Sequence, residues 1–473
     1  MLRLVIEKEI HDNYVNVRFL GACAVSLILI VSSIAVLSRS HEEQVRDYRN
    51  RVQQQNDFID RYAHQNRLGW MAIQHREPPH LQALVSGIDP EARQENFISN
   101  PVPVLLSRLD FVTIVTIIMS LVAILFSYNG ISGEREDGLL RQMLATGASR
   151  GVLLAGKFIG GLISLIIPFT MSVLAGVLFL ALNPGVQLQG VDFAVFGALL
   201  AASWLYMSVF FGIGLLFSAR SRTSAQAILK SLFAWVILVL VIPNVSPFLS
   251  AALAPIPSAT KVHQDMFQLE DRERDIILAR RTRELVDSKY PDLGEILALP
   301  QKEIQEKLKS DPSLNTRYAH YAQDREDLTR LVNREQRAKA EKIGTDFQRR
   351  SDRQENLARI FTSASPFSNF VFIATDLTET GIAADAHWER QSAEYSNALS
   401  VYADGKYRRE MEKNPAYSFN DYLDLRDRPR FQYVPAGLAE RLEPDLLQAG
   451  ILLAFNFIFF MFAFASFQRY DVR

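Results

Sequence analysis

Residues 111–131 read FVTIVTIIMSLVAILFSYNGI, and the chain runs on through Ser132-Gly133-Glu134-Arg135-Glu136-Asp137-Gly138-Leu139-Leu140. The first stretch contains no Asp, Glu, Lys or Arg. A helix needs roughly 20 apolar residues to cross a hydrocarbon core about 30 Å thick, and this run supplies them. Working outward, equally uncharged runs recur at 19–37, 158–182, 193–218, 231–253 and 446–467. One or two such runs would fit buried helices of a large soluble protein; six do not. The sequence therefore predicts an all-α polytopic membrane protein with six transmembrane helices. The box Leu20-Gly21-Ala22-Cys23 is similar to a lipoprotein cleavage site, but the apolar stretch continues past it to Leu37 and no small-x-small site follows. The first span reads as an uncleaved signal anchor.

Composition agrees with this division. Of 473 residues 48% are apolar, yet the mean hydropathy is only +0.03, because long apolar runs alternate with charge-dense segments. Lys and Arg number 51 against 52 Asp and Glu, so no basic field points to nucleic acid. The one cysteine, Cys23, excludes an intrachain disulfide framework.

Orientation follows from Lys and Arg in the short connections. Arg3, Lys8 and Arg18 precede the first span; Arg135, Arg141, Arg150 and Lys157 lie between the second and third; Arg220, Arg222 and Lys230 lie between the fourth and fifth; Arg469 and Arg473 follow the sixth. The connection 183–192 has neither. Both termini are expected in the cytoplasm. That places a small extracytoplasmic segment at 38–110 and a large, mainly helical extracytoplasmic domain at 254–445. The spans 111–253 carry a cytoplasmic helix at 134–148, and 446–473 is the last span with its tail. The stretch 42–64 reads as an outward continuation of the first span, broken further on by Pro78-Pro79, Gly87 and Asp89-Pro90. Within the large domain 316–361 reads as one or two long helices with a thin apolar stripe, and Phe367–Leu377 forms a second apolar patch expected near the membrane. At the N-terminus Leu2, Val5, Ile6 and Ile10 share a helical face, as in a helix lying at the membrane interface.

No catalytic motif stands out. Gly151 to Phe158 comes within one residue of a phosphate-binding loop, but Phe158 replaces the Mg²⁺-binding hydroxyl and no strand precedes it. Gly156-x-x-x-Gly160, with Gly161, reads as a close-packing surface. His75 and His80, five apart across two prolines, make a poor metal pair, and no cofactor or metal site is expected. Between the second and third spans, Glu134, Glu136 and Asp137 crowd a helix N-terminus where the macrodipole favours anions. Leu139, Leu140, Met143 and Leu144 supply an apolar face, and Gly147 a C-cap. Such an acidic-ended amphipathic helix suits docking to a protein better than to anionic lipid.

This stretch and its flanks resemble the ABC-2-type permeases, which carry an S-G-E-[RK]-E-x-G-x-L-x-x-x-L segment at this position. The matching residues are Ser132, Gly133, Glu134, Arg135, Glu136, Gly138, Leu139, Met143, Leu144, Arg150, Gly156 and Lys157, with further likeness at 205–214 and 235–244. Pro78-Pro79-x-Leu81 and Gly87 resemble the subgroup with gliding-motility permeases and the nitrous-oxide-reductase maturation permease. Asn129 and Leu139 depart from the usual acidic residue and Thr. The resemblance implies a non-enzymatic permease of the bacterial inner membrane, coupled to a separate ABC ATPase subunit and paired with a second permease copy or paralogue. The implied ATPase contact is Glu134, Arg135, Glu136, Gly138, Leu139, Leu140, Met143 and Leu144. A bulky or amphiphilic substrate fits spans without intramembrane charge. Polar groups that could line a path are Thr113, Thr116, Ser120, Ser164, Thr170, Ser208 and Asn456, for each of which ordinary interhelical hydrogen bonding is the competing role. Other functions consistent with the sequence are an ATPase-linked scaffold or assembly factor acting on a periplasmic partner through 254–445, and an importer of a chelate-type substrate.

Overall fold

The computed structural model describes residues 1–63, 74–87, 109–145, 149–183, 185–186, 188–414, 417 and 421–469, excepting the side chains of 17, 18, 270, 301 and 302. The expected turn at Asp89-Pro90, the C-cap at Gly147 and the tail at Arg473 lie outside the described residues.

The described residues form helices and no strand. Helix α1 (Leu2–Tyr14) precedes α2 (Val17–Tyr62), which carries the first apolar run and its polar continuation as one helix. α3 (111–127) includes a π-helical turn at Ile114–Met119. The short helices α4 (Ser132–Glu136) and α5 (Leu139–Ala145) lead to α6 (Arg150–Ala181). α7 (Gly190–Arg220) and α8 (Ser224–Leu253) follow, α8 with a π turn at Val236–Val241. Then come α9 (259–289), α10 (Gln301–Ser310), α11 (Pro312–Thr362), α12 (Pro366–Leu377), α13 (Ile382–Lys413) and α14 (Leu446–Gln468). Six of these, α2, α3, α6, α7, α8 and α14, are long and apolar enough to cross a membrane.

Two compact units result: residues 1–243 with 362–473, and residues 244–361. The division therefore cuts through 254–445, because 362–445 groups with the apolar helices. In the first unit one core draws on α2, α3, α6, α7, α8, α12 and α14. Tyr206, fully buried, donates its hydroxyl to the Thr116 carbonyl at 2.9 Å, and Trp235 donates to Ser120 Oγ at 2.7 Å. Buried polar tips need such partners. Asp110 sets the start of α3: Oδ1 accepts the Thr113 N–H at 2.9 Å, and Oδ2 accepts from Ser86 N and Oγ at 3.2 and 3.1 Å.

The apolar patch 367–377 penetrates further than expected. As α12 it is about 18 Å long, too short to cross a bilayer. Ser365, at its start, bonds the Leu238 carbonyl halfway along α8, and Phe370 lies 5.0 Å from Tyr206 at the middle of α7. The segment therefore enters the bundle to mid-depth and returns. Its end is a Schellman turn, with Thr380 N–H on Thr375 O at 2.9 Å and Glu379 N–H on Asp376 O at 3.2 Å. Glu379 occupies the left-handed position (φ 57°) where glycine is usual. Its carboxylate explains the choice: it accepts the Ala436 N–H at 3.0 Å and pairs with Arg441 at 3.2 Å, anchoring the approach to α14.

The second unit is mostly α9 and α11 with a small core of Tyr290, Leu293 and Tyr321. Arg281–Glu335 (2.9 Å) and Arg317–Asp292 (2.8 Å) tie the helices together. The thin stripe on α11 leaves Gln336 almost fully buried with neither amide atom bonded.

Candidate functional site

The connection between the second and third spans is not one helix over 134–148. Gly138, at φ 76°, breaks it into α4 and α5, a conformation open to glycine at little cost. The break turns the apolar face inward. Leu140 is 1% exposed among Ile131, Leu153, Leu154, Leu215 and Phe467, with Met143 and Leu144 packed against the same cluster. Leu139, by contrast, is 45% exposed. Of the apolar residues expected to meet a partner, the chain itself covers Leu140, Met143 and Leu144. The outward surface consists of Glu136, Asp137, Gly138, Leu139, Arg141, Gln142 and Ala145.

The charged residues are equally committed. Arg135 donates to the Ser221 and Ala219 carbonyls at 2.6 and 3.3 Å, closing the end of α7. Glu136 accepts from Ser224 N at 3.2 Å and Oγ at 2.7 Å, at the start of α8. Both contacts answer unpaired backbone groups at helix ends. Glu134 lies inward. Its Oε1 receives Lys157 Nζ at 2.6 Å and Lys8 Nζ at 3.0 Å, and Lys157 also reaches Glu9 at 2.7 Å. Lys157 is 4% exposed, so these bonds act in a low-dielectric setting. Burial opposes the Lys8 ammonium, but Glu134, Glu9 and Asp12 outweigh it and hold the group above its ordinary range.

This network fixes α1 on α6. A Cβ at Gly156 would fall 2.5 Å from Val5 Cγ1, and one at Gly160 would fall 2.8 Å from Glu9 Cβ. At Gly161 it would meet Phe211 at 2.4 Å. The glycines thus admit the N-terminal helix and an aromatic ring of α7. The near phosphate loop is the first two turns of α6: Lys157 is in the ion network, and Phe158 lies 5.7 Å from Phe211 and 5.3 Å from Phe460. Sequence reasoning missed the α1 contact. Lys8 and Glu134 are 126 positions apart and Lys157 and Glu9 148 apart, so no local periodicity reports it.

The polar groups within the spans make interhelical or back-bonded contacts. Trp204 donates to Thr170 Oγ1 at 3.1 Å, and Ser208 bonds Asn456 at 2.6 Å. Asn456 also donates to the Leu205 carbonyl at 3.0 Å, and Asn13 reaches Ser164 at 3.4 Å. Thr116 and Ser120 bond carbonyls one turn back at 2.7 and 2.6 Å, and the Thr113 N–H serves the Asp110 cap. These bonds fit helix packing. Among the described residues no group of three His, Cys, Asp or Glu is placed to hold a metal.

A family model described as ABC-2 family transporter protein matches residues 3–472. Two similar proteins are each named a probable ABC transporter permease protein NosY. The one from Pseudomonas aeruginosa is 34% identical over 153 residues, 32% of this chain and 53% of the relative. The one from Stutzerimonas stutzeri is 33% identical over 134 residues, 27% of this chain and 47% of the relative. The chain thus matches about half the length of these relatives.

Proposed function

The chain belongs to the ABC-2 family of transporter proteins, and from that premise we propose that it is the permease subunit of an ATP-driven transporter whose ATPase is a separate chain. It is a multi-pass membrane protein, and we place both termini in the cytoplasm of a bacterial inner membrane, with the ATPase docked on the 132–145 connection. The observation that carries this reading is the outward surface of α4 and α5. Leu139 projects beside Glu136 and Asp137, while everything behind them is fastened to α1, α6, α7 and α8. A push on that surface is carried by the rigid Glu134–Lys157 network into the third span and by Arg135 and Glu136 into the fourth and fifth. The permease works as a dimer, its own copy or a paralogue completing the route, and exports a bulky or amphiphilic substrate.

The test is recovery of the ATPase with the affinity-tagged full chain. Docking that completes the burial of Leu139 contributes about 1 kcal/mol, and an aspartate there would also have to be desolvated. Leu139→Asp should therefore reduce ATPase recovery at least about tenfold while leaving membrane insertion intact. Recovery unchanged by Leu139→Asp places the docking surface elsewhere. The separately compact unit 244–361 keeps a second reading in view, a scaffold that binds a periplasmic partner without transport. ATP-driven accumulation of substrate in vesicles carrying the complex separates the two.

A further inference from the structure

One face of α2 just beyond its apolar part carries His41, Glu42, Val45, Arg46 and Arg49, at one-turn spacing. Together with Glu77, Pro78, His80 and Gly185 these residues line a cavity of about 260 Å³. Its chemistry is unusual for a cavity that serves only packing. His41 is 3% exposed and its Nδ1 has no hydrogen-bond partner. Among the described residues, Glu42, Arg46, Arg49, Glu77 and His80 form no hydrogen bond or ion pair with one another. That nitrogen is itself closed off from solvent, so the groups a bound molecule can reach are Glu42, Arg46, Arg49, Glu77 and His80.

The balance of charge narrows what the cavity accepts. Two arginines face two glutamates, and burial, reinforced by His80, holds His41 neutral down to a pKa of about 4 against the opposing pull of Glu42. A simple anion would meet the two glutamates as well as the two arginines, and a simple cation the reverse. Charge complementarity favours one molecule bearing both signs. Arginine forks suit phosphate or carboxylate, and carboxylates suit an ammonium. The depth is also informative. At 1.5 Å per residue, His41 and Glu42 lie about 6–8 Å beyond Leu37, within the headgroup band of a bilayer whose span begins there.

We infer that this cavity binds a zwitterion carrying an ammonium and a phosphate, as in an ethanolamine phosphate group. Arg46 and Arg49 take the phosphate, and Glu42 and Glu77 the ammonium. Glu42 is positioned by Gly185, where a Cβ would fall 2.1 Å from its Oε1. The group can arrive on a lipid or as a free molecule, and the experiment distinguishes the sources.

The full-length chain in detergent is given phosphatidylethanolamine, phosphatidylglycerol or free phosphorylethanolamine, and retention is read by native mass spectrometry. The expected result is retention of phosphatidylethanolamine or phosphorylethanolamine about tenfold above phosphatidylglycerol; which of the two is held identifies the source. Loss of a charge-assisted pair corresponds to about tenfold in affinity. Arg46→Gln with Arg49→Gln, and separately Glu42→Gln, should each remove the preference. All three side chains are at least partly exposed, and unchanged thermal unfolding confirms the fold. Gly185→Ala, which keeps every charge and displaces Glu42, should weaken retention likewise. Equal retention of phosphatidylglycerol, no retention of any probe, displacement by Zn²⁺ alone, or a preference indifferent to these variants would each overturn the assignment.

Discussion

Lys157→Met tests how α1, α4 and α6 are held together. The side chain is 4% exposed and its Nζ lies 2.6 Å from Glu134 and 2.7 Å from Glu9. Methionine keeps the volume and removes the charge, leaving two partly buried carboxylates. Breaking a buried pair by removing one partner costs about 3–5 kcal/mol. Lys8 remains 3.0 Å from Glu134 but is 42% exposed, so it recovers only part of this and the lower figure applies. With an unfolding entropy of about 2.1 cal/mol/K per residue, a chain of 473 residues has roughly 1 kcal/mol/K, and about 3 kcal/mol lowers Tm by about 3 °C. Thermal scans of the purified chain at one fixed scan rate measure this, since membrane proteins often unfold irreversibly. Limited proteolysis gives the local readout: α1 should be cleaved faster in the variant. Adding Glu134→Gln should restore part of the loss, because the uncompensated charge leaves with it. A Tm within about 1 °C of the parent, with α1 equally protected, would refute the claim that this network fixes α1.

Three further outcomes follow. His41 titrates near 4 in the folded chain against an ordinary value of 6.5, so the unfolded state binds the extra proton first. Stability should be full above pH 6.5 and fall by on the order of 2 kcal/mol between pH 6.5 and 4; His41→Gln should flatten that part of a pH–Tm curve. In a Cys23→Ser background, His320→Cys should react with an impermeant maleimide in intact spheroplasts, and labelling only after membrane disruption would reverse the topology. Gln336→Leu removes two buried amide atoms without partners and should raise stability by about 1–3 kcal/mol, read as a higher midpoint in denaturant.

The spans were legible because charge-free runs of about 20 residues have few other uses. The continuation of the first span into residues 42–62 was equally plain, since nothing in that stretch breaks a helix. What periodicity cannot tell is which surface covers an apolar face. Leu139, Leu140, Met143 and Leu144 read as a docking face, and only the turn at Gly138 decides that Leu140 faces its own chain and Leu139 the outside. Lys157 counted among the cations between the second and third spans, yet its partners come from α1 and α4. The mid-depth insertion of α12 was hidden by its length: 12 apolar residues do not distinguish a surface helix from one that enters the bundle and returns. The apolar runs that end at 253 and resume at 446 set the expected domain at 254–445, whereas the compact units divide at 243 and 361.

Crosslinking at position 139 tests the central claim most directly. In the Cys23→Ser background, Leu139→Cys and Leu140→Cys differ by one residue but face opposite ways, 45% and 1% exposed. With a short cysteine-to-amine crosslinker applied to membranes, a permease that docks its ATPase on α4 and α5 gives a crosslinked nucleotide-hydrolysing chain from position 139 and none from 140. Crosslinking from neither position, or from both equally, in membranes where the ATPase co-purifies with the chain would contradict that account.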